Sequence, residues 1–166
     1  SAVAVVDGVV EVTLASTAVA MATVGPPPPS SPGGPGKWVQ VNESMSGRAR
    51  DYQAQVTGAP KGSAYRVKRG DEEVDFDGYD LDENALLEAK GPGYEKFLDD
   101  GPSFKSYFQG EKSLLQQARR QLRLARDTPV RWIVAEERFA MVLRRMFAQE
   151  LIDIEVVLRP AKVVTP

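Results

Sequence analysis

The stretch DFDGYDLDENALLEAKGPGYEKF, residues 75–97, decides the fold because it joins two strand-like segments through a short polar turn. Alternating apolar and acidic residues predict a strand at 73–79, and the apolar run ALLEAK predicts another at 85–90. A third strand is predicted just upstream, at 63–69. Short connections between the three favour an antiparallel meander.

Helices and strands alternate in the rest of the chain. Helices are predicted at 43–57, 111–127 and 137–151, strands at 130–136 and 152–158, and a short helix within the loop 91–104. The run VRWIVAE at 130–136 is continuously apolar, which is typical of a central strand buried on both faces. The fold class is therefore predicted as α/β (α+β), with a mixed sheet of four to five strands flanked by helices.

The N-terminal part differs in composition from the rest. Residues 8–24 are apolar, but Glu11 interrupts them and the run is shorter than the roughly 20 residues of a spanning helix. We expect a segment that packs on a partner or on the chain itself; the alternative is the tail of a membrane-interacting region. GPPPPSSPGGPG at 25–36 is a linker sequence. The predicted division is an apolar leader with its linker, 1–36, and a folded domain, 37–166.

Composition excludes several kinds of active site. The 166 residues carry a net charge of −2 and include no cysteine and no histidine. Disulfides, thiolate metal sites, cysteine nucleophiles, Ser-His-Asp triads and histidine-dependent metal sites are therefore ruled out. Acid–base or metal chemistry must use Asp, Glu, Lys, Tyr, Arg or a bound water.

Asp77, Glu88 and Lys90 form the candidate catalytic group. Glu88 and Lys90 are two residues apart on a strand, so both side chains leave the same face, and an antiparallel partner can bring Asp77 beside them. Two close carboxylates repel each other unless a cation lies between them. Mg²⁺ suits hard oxygen ligands with few protein contacts, and it lowers the pKa of a bound water that attacks phosphorus. Lys90 is placed to orient or deprotonate that water and to balance negative charge. The alternative is a solvated Glu-x-Lys surface pair.

The helix predicted at 111–127 supplies further candidates. Gln117 and Gln121 lie one turn apart, where they can bind a water, a base edge or a metal-bound carboxylate; the alternative is a polar shoulder of an amphipathic helix. Arg119, Arg120 and Arg123 can meet phosphates, or can be solvated or paired with acids. Outside this helix, Tyr94 can stack on a base or pack on the core, and Glu136 can face the site or cap the next helix.

Four motifs in order carry a family resemblance: VDFDGY (74–79), LLEAKGPGYEKFLD (86–99), LLQQARRQ (114–121) and PVRWIVAE (129–136). Together they resemble the restriction-endonuclease-like toxin domains, specifically the fifth such family (Tox-REase type) among bacterial polymorphic toxins. The similarity spans roughly 52–158. It implies a PD-(D/E)xK nuclease core, although Phe76 stands where the pattern has proline.

The resemblance also implies roles for individual residues. Asp77 matches the metal-binding aspartate, Glu88 the second metal ligand and Lys90 the catalytic lysine. Gln117 and Gln121 match helix glutamines of many nucleases in this superfamily. As a C-terminal effector domain of type VI secretion, such a protein reaches the cytoplasm of a target bacterium and is held with an immunity protein in the producer. A delivery chaperone that binds the N-terminal segment is a further expected partner.

The combined prediction is a nuclease that uses Mg²⁺ (or Mn²⁺) and cleaves DNA as an antibacterial toxin. Asp77 and Glu88 hold the metal, Lys90 prepares the water, Gln117 helps to place it, and the helix arginines hold the strand. Two alternatives remain open. One is a non-catalytic interaction domain of the same fold, and the other is a toxin with the same chemistry that acts on RNA.

Overall fold

The computed structural model describes residues 34–162. The predicted leader and most of the predicted linker, 1–33, lie outside the described residues. The strands are β1 Lys37–Gln40, β2 Ser63–Arg69, β3 Glu72–Phe76, β4 Gly78–Asp80, β5 Ala85–Lys90, β6 Val130–Val134 and β7 Glu155–Leu158. The helices are α1 Gly47–Thr57, α2 Gly110–Ala125 and α3 Glu137–Gln149, with a 3₁₀ turn at Glu95–Phe97.

Four of the strands form a mixed sheet in the order β4-β5-β6-β7. β4 pairs antiparallel with β5, whereas β6 pairs parallel with both β5 and β7. The parallel pairs require crossover connections, which α2 and α3 provide. The predicted α/β class with a mixed sheet and flanking helices is confirmed, and β6 is the predicted central strand.

The remaining strands form a second sheet of three antiparallel strands, β1-β2-β3. β1 was not predicted, because its four residues follow directly on the proline- and glycine-rich segment. The strand predicted at 73–79 is in fact two strands with a break at Asp77. The chain pairs with β2 as far as Phe76 and with β5 from Gly78 onward, so it passes from one sheet to the other at the aspartate.

The two faces of the mixed sheet pack against different helices. Leu86, Trp132 and Val134 join the larger core with residues of α2 and α3. Leu87 and Ile133 belong to a smaller core with residues of α1. Because side chains alternate along a strand, Glu88 and Lys90 leave the same face as Leu86 and point toward α2.

Two glycines allow α1 to approach the sheet closely. A side chain at Gly91 would bring its Cβ within 3.2 Å of the Tyr52 Cβ, and one at Gly78 within 2.7 Å of the Thr57 methyl group. Tyr52 is buried and donates its hydroxyl to the carbonyl of Arg159 at 2.6 Å. Burial raises the pKa of Tyr52 to about 12. The close packing fixes the backbone on both sides of the candidate residues.

Several element ends differ from the predicted ones. α1 begins at Gly47, where Ser46 caps it by accepting the Ala49 N–H, and not at residue 43. α2 ends at Ala125, before Arg126 turns left-handed with φ 56°, so Pro129 does not end it. None of the helices within 34–162 is long and apolar enough to cross a membrane.

Candidate active site

Asp77 occupies the break between β3 and β4, where the chain changes sheets. Its backbone N–H donates to the carbonyl of Leu87 at 2.9 Å, which continues the pairing with β5. Its side chain turns back to the same strand, and Oδ2 accepts the Ala89 N–H at 2.8 Å. Both bonds hold the carboxyl beside the strand that carries Glu88 and Lys90.

Glu88 and Lys90 form a buried ion pair on β5. The Lys90 Nζ lies 3.2 Å from Glu88 Oε2, and the two side chains are only 8% and 9% exposed. The solvated surface pair considered as an alternative is therefore wrong, because the surrounding protein shields both charges from water. Burial of two charges is costly unless each is hydrogen-bonded as well as paired.

The two predicted glutamines of α2 supply those hydrogen bonds. Gln117 Nε2 donates to Glu88 Oε2 at 2.9 Å, while Gln117 Oε1 accepts from Lys90 Nζ at 2.7 Å. Gln121 Nε2 donates to Glu88 Oε1 at 3.0 Å. Both glutamines thus face the sheet, and each carboxylate oxygen of Glu88 accepts one amide N–H.

The indole of Trp132 fixes the orientation of the deeper glutamine. Its Nε1–H donates to Gln121 Oε1 at 2.8 Å, and both residues are fully buried. An indole N–H is only a donor, so the Gln121 oxygen must face it and the NH₂ group must face Glu88. Lys90, also only a donor, orients Gln117 in the same way. The ammonium of Lys90 lies 4.7 Å from the Trp132 ring centroid, within cation–π range.

The charges of the site are unevenly compensated. Burial, and then the neighbouring Glu88 charge, raise the pKa of Asp77 well above its usual value. Burial alone would lower the pKa of Lys90, but the Glu88 carboxylate and further acidic neighbours outweigh burial and raise it. Lys90 therefore stays protonated at neutral pH and donates hydrogen bonds. Asp77 keeps a negative charge only at a free-energy cost.

An open cleft of about 530 Å³ gives access to these groups. The candidate residues that line it are Asp77, Glu88, Lys90, Gln117 and Tyr94. Gln121 does not line it, because it lies behind Glu88 in the core. The structure thus brings four of the five predicted catalytic residues to one cleft and places the fifth against them from inside.

The donor set suits a divalent cation with few protein ligands. Within residues 34–162 no group of three or more His, Cys, Asp or Glu side chains converges as a metal site, and Asp77 and Glu88 are the carboxylates among the predicted site residues that line the cleft. Asp77 Oδ1 accepts no hydrogen bond from the described residues, and the raised pKa of this carboxyl is the property that a cation would reverse. Carboxylate oxygens of this kind are the ligands that hard divalent cations prefer.

The arginines predicted to bind nucleic acid are placed differently from one another. Arg119 pairs with Glu150 at 2.6 Å and Arg123 with Glu72 at 2.9 Å, both on the exposed side of α2 and away from the residues that line the cleft. Arg120 donates to the carbonyl of Glu73 and lines a second, adjoining cleft. Of the three, only Arg120 lies near the candidate site.

Tyr94 has a defined position beside the site. Its ring stacks on Phe139 with a centroid distance of 4.3 Å and an interplanar angle of 1°. It is half-buried and still lines the cleft. Tyr94 therefore packs on the core and faces the open space at once, so the two alternatives considered for it are compatible.

Sequence reasoning missed the basic residues that do line the first cleft. Arg48 comes from the first turn of α1, and Lys96 comes from the 3₁₀ turn after β5. Arg48 belongs to none of the quoted motifs, whereas Lys96 lies within LLEAKGPGYEKFLD (86–99); both reach the cleft only through tertiary packing. No sequence pattern connects Arg48 with the candidate catalytic group. Lys96 lies within the same stretch, 75–97, as that group and could have been predicted from this proximity.

Glu136 occupies the N-cap position of α3, but its side chain anchors the loop after β5 and makes no capping hydrogen bond to the helix. Its carboxylate accepts the N–H groups of Gly93, Tyr94 and Glu95 at 3.1, 2.8 and 3.0 Å. Glu95 in turn accepts the N–H of Arg138 in the first turn of α3 at 2.9 Å. The reciprocal contacts join residues far apart in sequence and hold the loop that bears Tyr94 and Lys96.

Comparison with known proteins supports a family assignment. The family model described as Restriction endonuclease fold toxin 5 matches residues 49–137, more than half of the chain. The matched range contains Asp77, Glu88, Lys90 and both glutamines of α2. No curated protein matches the chain. The chain belongs to the family of restriction endonuclease fold toxins that this model describes.

Proposed function

We propose that the protein is a metal-dependent nuclease that hydrolyses phosphodiester bonds of DNA and acts as a toxin. The family membership supports a nuclease toxin. The observation that carries the proposal is the contrast within one cleft between a fully hydrogen-bonded Glu88–Lys90 pair and an undercompensated Asp77 carboxyl. The buried negative charge of Asp77 destabilises the folded protein when no cation is bound, and a bound cation would offset that cost.

The residues divide the work of hydrolysis between them. Asp77 and Glu88 would hold Mg²⁺ or Mn²⁺, which supplies a Lewis acid and lowers the pKa of a bound water. Lys90 presents its ammonium at the cleft wall, where it can neutralise negative charge that develops on a phosphate. Gln117 holds Lys90 and Glu88 together. Gln121 holds Glu88 from behind and is a positioning residue.

The biological setting is part of the same proposal. As a toxin domain of this family, the protein would act in the cytoplasm of a target bacterium after secretion, through the type VI route, and an immunity protein would bind it in the producing cell. A delivery chaperone would bind the N-terminal segment. The lack of a membrane-spanning helix within 34–162 is compatible with this route.

Plasmid cleavage tests the proposed activity. Supercoiled DNA should be nicked or linearised with Mg²⁺, and EDTA should stop the reaction. Lys90→Met should lower the rate by about 100-fold or more, the usual scale for a positioned catalytic group. The matched control is Arg123→Gln, which also removes a positive charge but lies on the outer face of α2. Full activity of Lys90→Met would contradict the site.

A second variant protects the test from a folding artefact. Lys90→Met leaves Glu88 buried without its partner, so the variant can lose activity by unfolding. Asp77→Asn removes an unfavourable buried charge and should fold well, yet it should also lose cleavage. Labelled RNA offered beside DNA decides the substrate. Cleavage of RNA alone would overturn the assignment to DNA, and cleavage of neither would favour a non-catalytic interaction domain.

A further inference from the structure

The cleft that holds the candidate site continues into a second one. The first has a volume of about 530 Å³ and the second about 540 Å³. They share the lining residues Glu43, Asp75 and Gln117. Because Gln117 also contacts Glu88 and Lys90, the candidate site lies where the two clefts meet. A chain-like ligand could therefore extend from one cleft, past the site, into the other.

Basic side chains line both clefts. Arg48 and Lys96 line the first cleft, and Arg120 lines the second. All three are exposed, and none lies within ion-pair distance of an acidic side chain in the part of the chain that the structure describes. Arg119 and Arg123 on the same helix as Arg120 are both paired. Of the three arginines of α2, Arg120, which lines a cleft, is therefore the one without an ion-pair partner among the described residues.

The acidic groups along the path are partly neutralised. Arg66 binds both carboxylate oxygens of Asp75, at 2.7 and 3.0 Å. Lys90 pairs with Glu88. Glu73, which lines the second cleft, lies 3.5 Å from the same Arg66 side chain. Asp77 and the exposed Glu43 remain, and Asp77 is the carboxyl that a cation would neutralise. Basic side chains thus line both clefts, and the carboxyls of Asp77 and Glu88 lie in the first.

The backbone beside the first cleft leaves room for the Arg48 side chain. Gly93 has φ +121°, a conformation that other residues rarely adopt, and a Cβ there would lie 3.2 Å from the Arg48 guanidinium. The Glu136 carboxylate accepts the Gly93 N–H at 3.1 Å. Lys96 lies over the Phe97 ring at 5.2 Å. Both basic groups therefore stand against an anchored loop.

We infer that the phosphodiester backbone of one nucleic-acid strand runs through the two clefts, bound by Arg48 and Lys96 on one side of the site and by Arg120 on the other. The inference rests on the proposed nuclease function and assigns its substrate-binding residues. In this assignment Arg48 and Lys96 take the place of Arg119 and Arg123 as phosphate contacts, because Arg119 and Arg123 are already paired with acids outside the clefts.

Salt-dependent binding tests the path with charge-matched variants. Arg48→Gln/Lys96→Gln and the control Arg119→Gln/Arg123→Gln each remove two positive charges. A fluorescein-labelled DNA duplex is titrated by anisotropy in EDTA at several salt concentrations. Each lost phosphate contact reduces the slope of log K against log salt by about one, so the first pair should reduce it by about two. The control pair should leave it unchanged, and Arg120→Gln should reduce it by about one. If metal-free binding is too weak to titrate, kcat/KM with Mg²⁺ gives the slope.

The outcomes separate this inference from the proposed function. If the wild-type protein cleaves DNA and the two double variants change the slope of log K against log salt equally, binding depends on overall charge, and the proposed path is wrong. Cleavage with no change for Arg48→Gln/Lys96→Gln would also overturn it and leave the nuclease function standing. Wild-type protein that neither binds nor cleaves nucleic acid would remove the function and the path together.

Discussion

Two regions of one cleft differ in how far the surrounding residues compensate the charge of a buried carboxylate. On β5, Glu88 accepts hydrogen bonds from two glutamines and pairs with Lys90, so its charge is compensated. At the break between β3 and β4, Asp77 accepts one backbone N–H and its pKa is raised well above the usual value by burial and by Glu88. The difference indicates that contacts within the chain stabilise the Glu88 charge, whereas the Asp77 charge lowers the stability of the fold.

The largest expected effect comes from breaking the compensated region. Glu88→Gln should lower the free energy of unfolding by roughly 3–5 kcal/mol, because Lys90 is left as an unpaired buried charge. Denaturant titration in EDTA measures it. The control is Glu72→Gln, which breaks the exposed pair with Arg123 and should cost less than about 1 kcal/mol. Equal small losses in both variants would contradict the buried pair.

The next effect concerns the undercompensated region. Mg²⁺ should stabilise the wild-type protein, by about 2.7 kcal/mol at 100 times its Kd, because a ligand that binds only the folded state shifts the unfolding equilibrium. Thermal denaturation with and without Mg²⁺ measures the shift in Tm. Asp77→Asn should lose most of it, and a shift of undiminished size in this variant would refute the assignment of Asp77 as a ligand.

A smaller effect is expected behind the compensated region. Trp132→Phe keeps an aromatic ring but removes the N–H that orients Gln121, which leaves a buried amide oxygen without a donor. The cost should be about 1–3 kcal/mol. A double-mutant cycle with Gln121→Leu isolates the contact, since Trp132→Phe should cost less once Gln121 is absent. Additive losses would show that the indole acts only through packing.

The smallest effect is a gain in stability with a defined pH dependence. The raised pKa means that folded protein binds the Asp77 proton more tightly than unfolded protein does. The contribution of this proton is fully present below the unfolded pKa, about 3.9, and is lost as pH rises through the folded pKa. Asp77→Asn in EDTA should therefore match wild type near pH 4 and exceed it in Tm at pH 7. A lower Tm at pH 7 would contradict the cost assigned to Asp77.

The sequence predicted the regular elements well because their apolar periodicity is local. The run at 130–136 and the alternation at 63–69 each reflect burial within one strand, and both strands are present. The break at Asp77 was missed because alternation continues through it: Phe76 and Gly78 lie in different sheets although the pattern around them is uninterrupted. Partner exchange between sheets leaves no mark on periodicity.

The candidate residues were predictable to different degrees. Asp77 lies in one quoted motif and Glu88 and Lys90 in the next, and the structure places all three in one cleft. The partners of Arg119 and Arg123 lie 31 and 51 residues away, so no local pattern could show that these charges are paired. The fully buried contact between Gln121 and Trp132 also depends on packing between α2 and β6. Helical spacing predicted the face that carries the glutamines but not what it contacts.

A crystal soaked with Mn²⁺ tests whether Asp77 and Glu88, whose charges the chain compensates so differently, bind one divalent cation. We expect an anomalous-scattering peak in contact with a carboxylate oxygen of each residue, and no such peak in crystals of Asp77→Asn. A peak bound elsewhere, or one that persists unchanged in the variant, would contradict this expectation.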